Sequence, residues 1–463
     1  MKIYLSRISI FFLLLSNASC NAHGQESEID AYMNGLIKDQ QIAGASVAVS
    51  KDGKWIVNKS YGYADVEGKI NVTDTTGFNI MSVTKIFIAC AVVQLADKKR
   101  IDLDAPITKY LEQLPKQYNN VLIYQLLNHT AGVPDYVEVD GYMQQAAKEQ
   151  SPLEILNPVI NKPLEFSPGK KNSYSNSGYF LLGLLIEKVS KWALNEYLAE
   201  NIFKPLEMKN TFLNDKASKS LLKTKGYISV NGKLQEVMLL NPSQYWAAGG
   251  IVTTISDMIK WDDALSTGKL LPMKEVNQMM QPAKFKDGSM SDYGLGFELM
   301  NMPDMKVAGN TGAGVGFNTA NMQFLNDKIT VIILTNTSNS AAAMIAKNIY
   351  DMIANSGKVN NEANQTQPGK DKLDSLVLQI FTDTKNPEVY KQNFNDDASF
   401  NKFKNETINF IQSQGNLKDI VRQGEKINPQ SIVRKYQISF DKGSTVWVII
   451  FSTDGKIAVT NHL

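Results

Sequence analysis

β-Prone sequence stands at both ends of residues 26–354 of this chain, and helical sequence fills the stretch between. At the front, Ala45 to Ser50 and Trp55 to Tyr61 are joined by Lys51-Asp52-Gly53-Lys54, where Asp-Gly is a hairpin signal. At the back, Asn318 to Phe324 and Ile329 to Leu334 flank Leu325-Asn326-Asp327-Lys328, a second hairpin candidate. From Thr84 to about Trp192 the pattern is helical, with Ile86 to Leu95 and Tyr179 to Val189 the most apolar runs. Glu26 to Gln40 and Ala341 to Ala354 read as helices at the two extremes. The economical fold is α+β: one antiparallel sheet built from both ends, flanked by terminal helices, with a helical lobe inserted. A functional site is expected in the cleft between sheet and lobe.

Residues 25–354 therefore read as one domain. Residues 355–372 are polar, with Gly, Asn, Gln and Pro and no apolar periodicity, and read as a linker. Residues 373–463 read as a small α+β accessory domain. Its helices start near Leu373, and strands follow at Ser431 to Phe440, Ser444 to Phe451 and Lys456 to Thr460. Residues 1–24 read as an export signal. Lys2 and Arg7 form its positive region and Ile8 to Leu15 its apolar run, well short of the roughly 20 residues that span a bilayer. Two processing readings stay open. Asn17-Ala18-Ser19-Cys20 resembles a bacterial lipobox, which would put a lipid anchor on Cys20, although Asn17 stands where an aliphatic residue is usual. Ala22-His23-Gly24 instead offers ordinary cleavage before Gln25. Both predict an exported body, periplasmic or attached to the outer membrane as a lipoprotein.

Lys and Arg exceed Asp and Glu by 48 − 46 = 2, and Lys2 and Arg7 account for that excess. A near-neutral body gives no electrostatic reason to expect nucleic acid or an anionic membrane as partner. Cys20 and Cys90 are the only cysteines, so CxxC redox and zinc chemistry are excluded. Cys90 lies in an apolar helical run and reads as a buried free thiol. Three histidines, His23, His129 and His462, leave only His129 for a folded site, and it reads as structural. No G-x-S-x-G elbow occurs, which argues against an ordinary α/β-hydrolase. The five tryptophans read as core or cleft-wall residues.

A serine nucleophile needs a group to take its proton, and a lysine can do so where burial lowers its pKa. Ser-x-x-Lys places the two on one helix face. The pattern occurs six times, at Ser82, Ser167, Ser220, Ser266, Ser399 and Ser439. Ser167 is followed by Pro168-Gly169 and Ser266 by Thr267-Gly268. Ser220 sits among lysines, and Ser399 and Ser439 lie in the accessory domain. Only Ser82 opens a long apolar helix, which would bury Lys85 beneath it; the plain alternative is a helix N-cap. Ser173-Tyr174-Ser175-Asn176-Ser177-Gly178 then precedes the second apolar helix. A Tyr hydroxyl can relay protons, and an Asn amide can hold both a lysine and a substrate carbonyl.

With these motifs the chain resembles the serine β-lactamase and penicillin-binding-protein superfamily, most nearly its class C and esterase-like branch. Ser82-Val83-Thr84-Lys85 matches the family's Ser-x-x-Lys, and Tyr174-Ser175-Asn176 its Tyr-x-Asn. Flanking stretches agree in order: Leu126 to Pro134, Phe166 to Gly169, Ala247 to Ile251 and Tyr293 to Phe297. The resemblance covers about Glu26 to Ala354. It implies Ser82 as nucleophile, Lys85 as base, Tyr174 as proton relay and Asn176 as the residue that positions lysine and substrate. It further implies an oxyanion hole from the backbone N–H groups of Ser82 and Ala313, substrate contacts at Asn310, Thr311 and Gly312, and no metal or cofactor.

Asn310-Thr311-Gly312 departs from the family's third motif, because Asn310 stands where Lys or His is usual. Losing that cation weakens carboxylate binding, since a charge-assisted hydrogen bond becomes a neutral one. The expected activity is therefore hydrolysis of an ester, amide or D-amino-acid peptide through an acyl-enzyme. A D-alanyl-D-alanine carboxypeptidase or β-lactamase, with peptidoglycan as partner, and a catalytically weak binding protein of the same fold remain as alternatives.

Overall fold

The computed structural model describes residues 26–215, 223–285, 287–302, 305–355, 372–382, 386–404, 408–428, 431–441, 443–452 and 455–462. The expected signal segment, nearly all of the expected linker, and Ser220 lie outside the described residues. The chain divides into two compact units, Met1–Ser356 and Gly357–Leu463. No helix among the described residues is long and apolar enough to cross a membrane.

The first unit is built on a seven-stranded antiparallel sheet. Its strands are β1 (Gly44–Lys51), β2 (Lys54–Asp65), β3 (Ile70–Asn71), β4 (Glu298–Met302), β5 (Met305–Gly314), β6 (Phe317–Phe324) and β7 (Ile329–Thr335). They lie in the order β3-β2-β1-β7-β6-β5-β4. The two ends of the region meet where β1 pairs with β7, with Ala48 opposite Ile332. Both anticipated hairpins form. In the first, Asp52 and Gly53 take φ of 51° and 75°, the pair of positive values a two-residue type I′ turn needs.

Alternation along these strands divides the core. Val47, Val49, Val331 and Ile333 pack against Ile29 and Met33 of α1 (residues 26–38) and Ile345, Ile349 and Ile353 of α5 (Ala342–Asn355). Ala48, Ile332, Leu334 and Ala308 turn to the other face, as a period of two requires. There they meet α2 (Thr84–Asp97), α3 (Asn176–Ser190) and α4 (Ile255–Thr267). Every residue of α2 from Thr84 to Leu95 is buried, as expected of a helix that is apolar on all sides. Cys90 is a free buried thiol on that helix, and burial pushes its pKa up to about 12.

Strand β5 lacks clean alternation because glycine replaces side chains where backbones crowd. A Cβ on Gly309 would lie 2.0 Å from the Asn321 carbonyl oxygen, and one on Gly312 would lie 2.2 Å from that of Ile80. Trp261 and Trp447 are fully buried, and Trp192, at 44 % exposure, departs from the expected core or cleft-wall placement.

The second unit places the helix Lys372–Thr382 and shorter helices ahead of a four-stranded antiparallel sheet. Val377 and Phe381 pack on Tyr436, Ile438, Trp447 and Ile449. Its first strand, Leu417–Asn428, was not apparent in the sequence. It is an edge strand of that sheet, and its run of charged residues suits an edge rather than a core strand. The buried Asp374 is held by Arg434, 2.8 Å away, and by the Tyr436 hydroxyl at 2.6 Å.

Asp262 ties α4 to the sheet. Both its oxygens accept from Asn321 Nδ2, at 3.2 and 3.1 Å, and Gln323 Nε2 donates at 3.3 Å. Burial raises the Asp262 carboxyl to about 7, so the folded state keeps a proton that the unfolded chain releases near pH 4. Stability contributed by this group is therefore fully present below pH 4, falls as pH rises toward 7, and then levels. Asp262→Asn should remove this slope. In thermal unfolding the variant should melt above the wild type at pH 8, by a stability difference on the order of a few kcal/mol. The gap should close by pH 4.

Candidate active site

Ser82 occupies a 3-10 turn, Met81–Val83, immediately ahead of α2. The N-cap of α2 is Val83, which makes no side-chain capping bond, so Ser82 is not the N-cap that a bland reading allows. Its hydroxyl is engaged elsewhere: Lys85 Nζ donates to Ser82 Oγ at 3.2 Å and the Tyr174 hydroxyl at 2.6 Å. The turn is held in an unusual backbone. Met81 has φ of 49°, a region disfavoured for residues with a Cβ. Asn79 Oδ1 accepts from the Met81 N–H at 2.9 Å, and Thr319 Oγ1 donates to the Ile80 carbonyl at 2.8 Å. Strand β5 runs against this turn, since a Cβ on Gly314 would lie 2.6 Å from Met81 Sδ.

Lys85 is fully buried. Besides Ser82 Oγ, its Nζ donates to Asn176 Oδ1 at 2.9 Å and to the Ala248 carbonyl at 2.8 Å. Burial lowers its pKa to about 7, against the opposing pull of the Asp135 charge. A large fraction of the amine is therefore neutral at physiological pH.

Asn176 is the first residue of α3, whose N-cap Ser175 accepts from the Gly178 N–H at 3.3 Å. Both the backbone N–H and Nδ2 of Asn176 donate to Asp135 Oδ2, each at 2.9 Å. With Nδ2 committed to a carboxylate, Oδ1 is the end turned to the lysine. Burial raises the Asp135 carboxyl, and the hydrogen bonds from Asn176 and Val137 and the Lys85 charge oppose that rise.

Tyr174 is 39 % exposed, with its ring open to the cleft. Desolvation at its hydroxyl nevertheless pushes its pKa above the usual phenol range, opposed by the Ser82 hydrogen bond and reinforced by the charges of Asp135 and Glu298. It is a proton-bearing phenol at neutral pH. His129 stacks on the Tyr174 ring at 4.5 Å and meets Tyr293 edge-on at 4.9 Å. His129 Nδ1 accepts from the Ser175 N–H at 3.1 Å. Burial and the Lys85 charge hold its pKa well below 6.5. The ring is neutral, its acceptor nitrogen is occupied, and it supports Tyr174 from behind.

Ser82, Tyr174, Asn176 and Ala313 border one open cleft of about 590 Å³, above the buried Lys85. Its other wall is Tyr136, Val137, Tyr142 and Tyr245, and no charged side chain lines it among the described residues. Asn310, Thr311 and Gly312, where the resemblance implied substrate contacts, lie on β5 but are not part of this lining. Asn310 is buried, and its Oδ1 has no hydrogen-bond partner among the described residues. Sequence reasoning missed Asp135, the Ala248 carbonyl and the tyrosine wall. Asp135 directly follows the Leu126 to Pro134 stretch, which was the one signal for it.

A family model described as Beta-lactamase matches residues 29–356. A putative penicillin-binding protein, PbpX, of Bacillus subtilis is 28% identical over 322 residues, covering 69% of this chain and 78% of the relative. Among solved structures, a D-amino acid amidase from Ochrobactrum anthropi superposes with a TM-score of 0.59 at 25% identity, covering 72% of this chain and 98% of that one. An octameric penicillin-binding protein homologue from Pyrococcus abyssi shares the fold with a TM-score of 0.62 at 19% identity, covering 94% of this chain and 99% of that one. The chain belongs to the β-lactamase family of serine hydrolases.

Proposed function

We propose that this protein is an exported serine hydrolase that cleaves an ester, amide or D-amino-acid peptide through an acyl-enzyme on Ser82. The observation that carries the reading is the Ser82 hydroxyl, held between a buried lysine amine and a protonated tyrosine. Neutral Lys85 takes the Ser82 proton as Oγ attacks the carbonyl carbon. The backbone N–H groups of Ser82 and Ala313 face the developing oxyanion, where fixed donors act most strongly. Tyr174 donates its proton to the leaving alkoxide or amine, which leaves a Tyr174 phenolate beside the Lys85 ammonium; the attacking water later returns a proton to Tyr174, and Lys85 returns its proton to Ser82 Oγ. Water then attacks the acyl carbonyl by the same route in reverse, releasing the acid and restoring Ser82. Asn176, oriented by Asp135, keeps the lysine in line.

Asn310 and the uncharged cleft lining favour substrates without a recognised carboxylate. A second reading, a D-alanyl-D-alanine carboxypeptidase or β-lactamase that meets peptidoglycan, draws on the name carried by the Bacillus relative. Export rests on the N-terminal sequence: its positive region, short apolar run and cleavage or lipobox residues.

The deciding experiment is intact-mass labelling with a fluorophosphonate and, in parallel, a fluorescent penicillin. Fluorophosphonate should add one label that is absent in Ser82→Ala, and that variant should lose about 10³-fold or more in kcat. Penicillin labelling would shift the reading to cell-wall peptides; no labelling of folded protein by either reagent would overturn the hydrolase reading.

The pH profile tests Lys85 separately. Because the base must be neutral, kcat/KM should rise with pH through about 7 and level above it. Asp135→Asn removes the charge that favours the ammonium, so the acid limb should move to lower pH while the rate at the plateau falls. An unmoved limb would remove Asp135 from the site.

A further inference from the structure

We infer that the wall of the Ser82 cleft formed by Tyr136, Val137, Tyr142 and Tyr245 is a subsite for an uncharged, apolar or aromatic group of the substrate; this rests on the hydrolase reading above. The wall is a supported aromatic stack. Trp246 meets Phe180 at 5.3 Å, Phe180 meets Tyr136 at 4.9 Å, and Tyr136 meets Tyr142 at 5.6 Å, each edge to face. The stack runs from buried α3 out to the cleft. Tyr136 is locked in place: its hydroxyl donates to the Gln244 carbonyl at 2.5 Å, and its N–H donates to Ser177 Oγ at 2.9 Å. The ring at the cleft end, Tyr142, therefore rests on side chains that are already fixed, and a substrate ring stacking there orders nothing new.

Two further features point the same way. Val137, a branched apolar side chain, borders the cleft at 37 % exposure. Large apolar side chains left open at a concave site suit an apolar ligand surface. Second, no Lys, Arg, Asp or Glu side chain lines the cleft among the described residues. A charged substituent would lose hydration there and meet no counter-ion, which is costly. The subsite thus separates substrates by apolar area and rejects charge.

The test is a set of matched esters. One series keeps p-nitrophenol as leaving group and varies the acyl group from acetyl through butyryl and hexanoyl to phenylacetyl. A second keeps acetyl and varies the alcohol. A succinyl ester supplies the charged counterpart of butyryl. In the series that occupies the wall, kcat/KM should rise by up to about fourfold per methylene, the limit for full burial, and the other series identifies the free side. Succinyl should be at least about tenfold poorer than butyryl. Tyr142→Ala should compress the ratio of the largest to the smallest substrate about tenfold. Val137→Asp, at an exposed position that tolerates charge in folding, should compress it as well. Flat dependence in both series, equal use of succinyl, or an unchanged ratio in both variants would overturn the inference. Fluorophosphonate labelling of Ser82 in the same preparations keeps the hydrolase reading standing in those cases; its absence would sink that reading instead.

Discussion

The site depends on one buried amine. Lys85 sits in the interior with three acceptors around it, Ser82 Oγ, Asn176 Oδ1 and the Ala248 carbonyl. Burial without a paired carboxylate in contact makes the ammonium unfavourable; the ammonium can donate to all three acceptors, whereas the neutral amine donates to two and can turn its lone pair to the Ser82 hydroxyl. Each acceptor comes from a different part of the chain: the turn before α2, the start of α3 and the segment before α4. Any packing error among these elements reaches the lysine directly, so helix packing and site chemistry are one problem.

The sheet holds the other side of that arrangement. Pairing of β1 with β7 joins sequence from both ends of the domain, and it sets β5 against the turn that carries Ser82. The close approach is possible only because Gly312 and Gly314 have no side chains. Met81 absorbs the resulting backbone strain at φ 49°. Strain at the residue next to a nucleophile persists because the surrounding hydrogen bonds and packing over-determine it.

Charge is distributed unevenly around this centre. Asp135 lies behind Asn176, and Glu298 lies close enough to influence Tyr174, yet the cleft surface itself is neutral and largely aromatic. Carboxylates tune the lysine and the tyrosine from outside the cleft, while tyrosines face it. Asn310 completes this pattern, since the residue at the family's cation position is a neutral, buried amide.

Much of this was legible before any coordinates. Both hairpins, the apolar helix after Ser82 and the Tyr174-Ser175-Asn176 approach to α3 follow from local patterns, because turn chemistry and periodicity are properties of adjacent residues. Ser82 stood out from five other Ser-x-x-Lys pairs because only its helix is apolar enough to be buried on every side. Other features exist only through long-range contact. Asp135 acquires its role by meeting Asn176 from 41 positions away, and Asp262 by meeting Asn321 across the sheet face. The aromatic wall brings Tyr245, which follows the 3-10 turn Pro242–Gln244, to Tyr136 and Tyr142 from a distant part of the chain. The edge strand Leu417–Asn428 carries many charged residues and places Ile420 in the core of its unit, too sparse an apolar pattern for periodicity to mark. Sequence alone thus determined the elements and the reacting pair; tertiary structure decided the amine's environment and the shape and polarity of the cleft, because those are set by which distant side chains desolvate which groups.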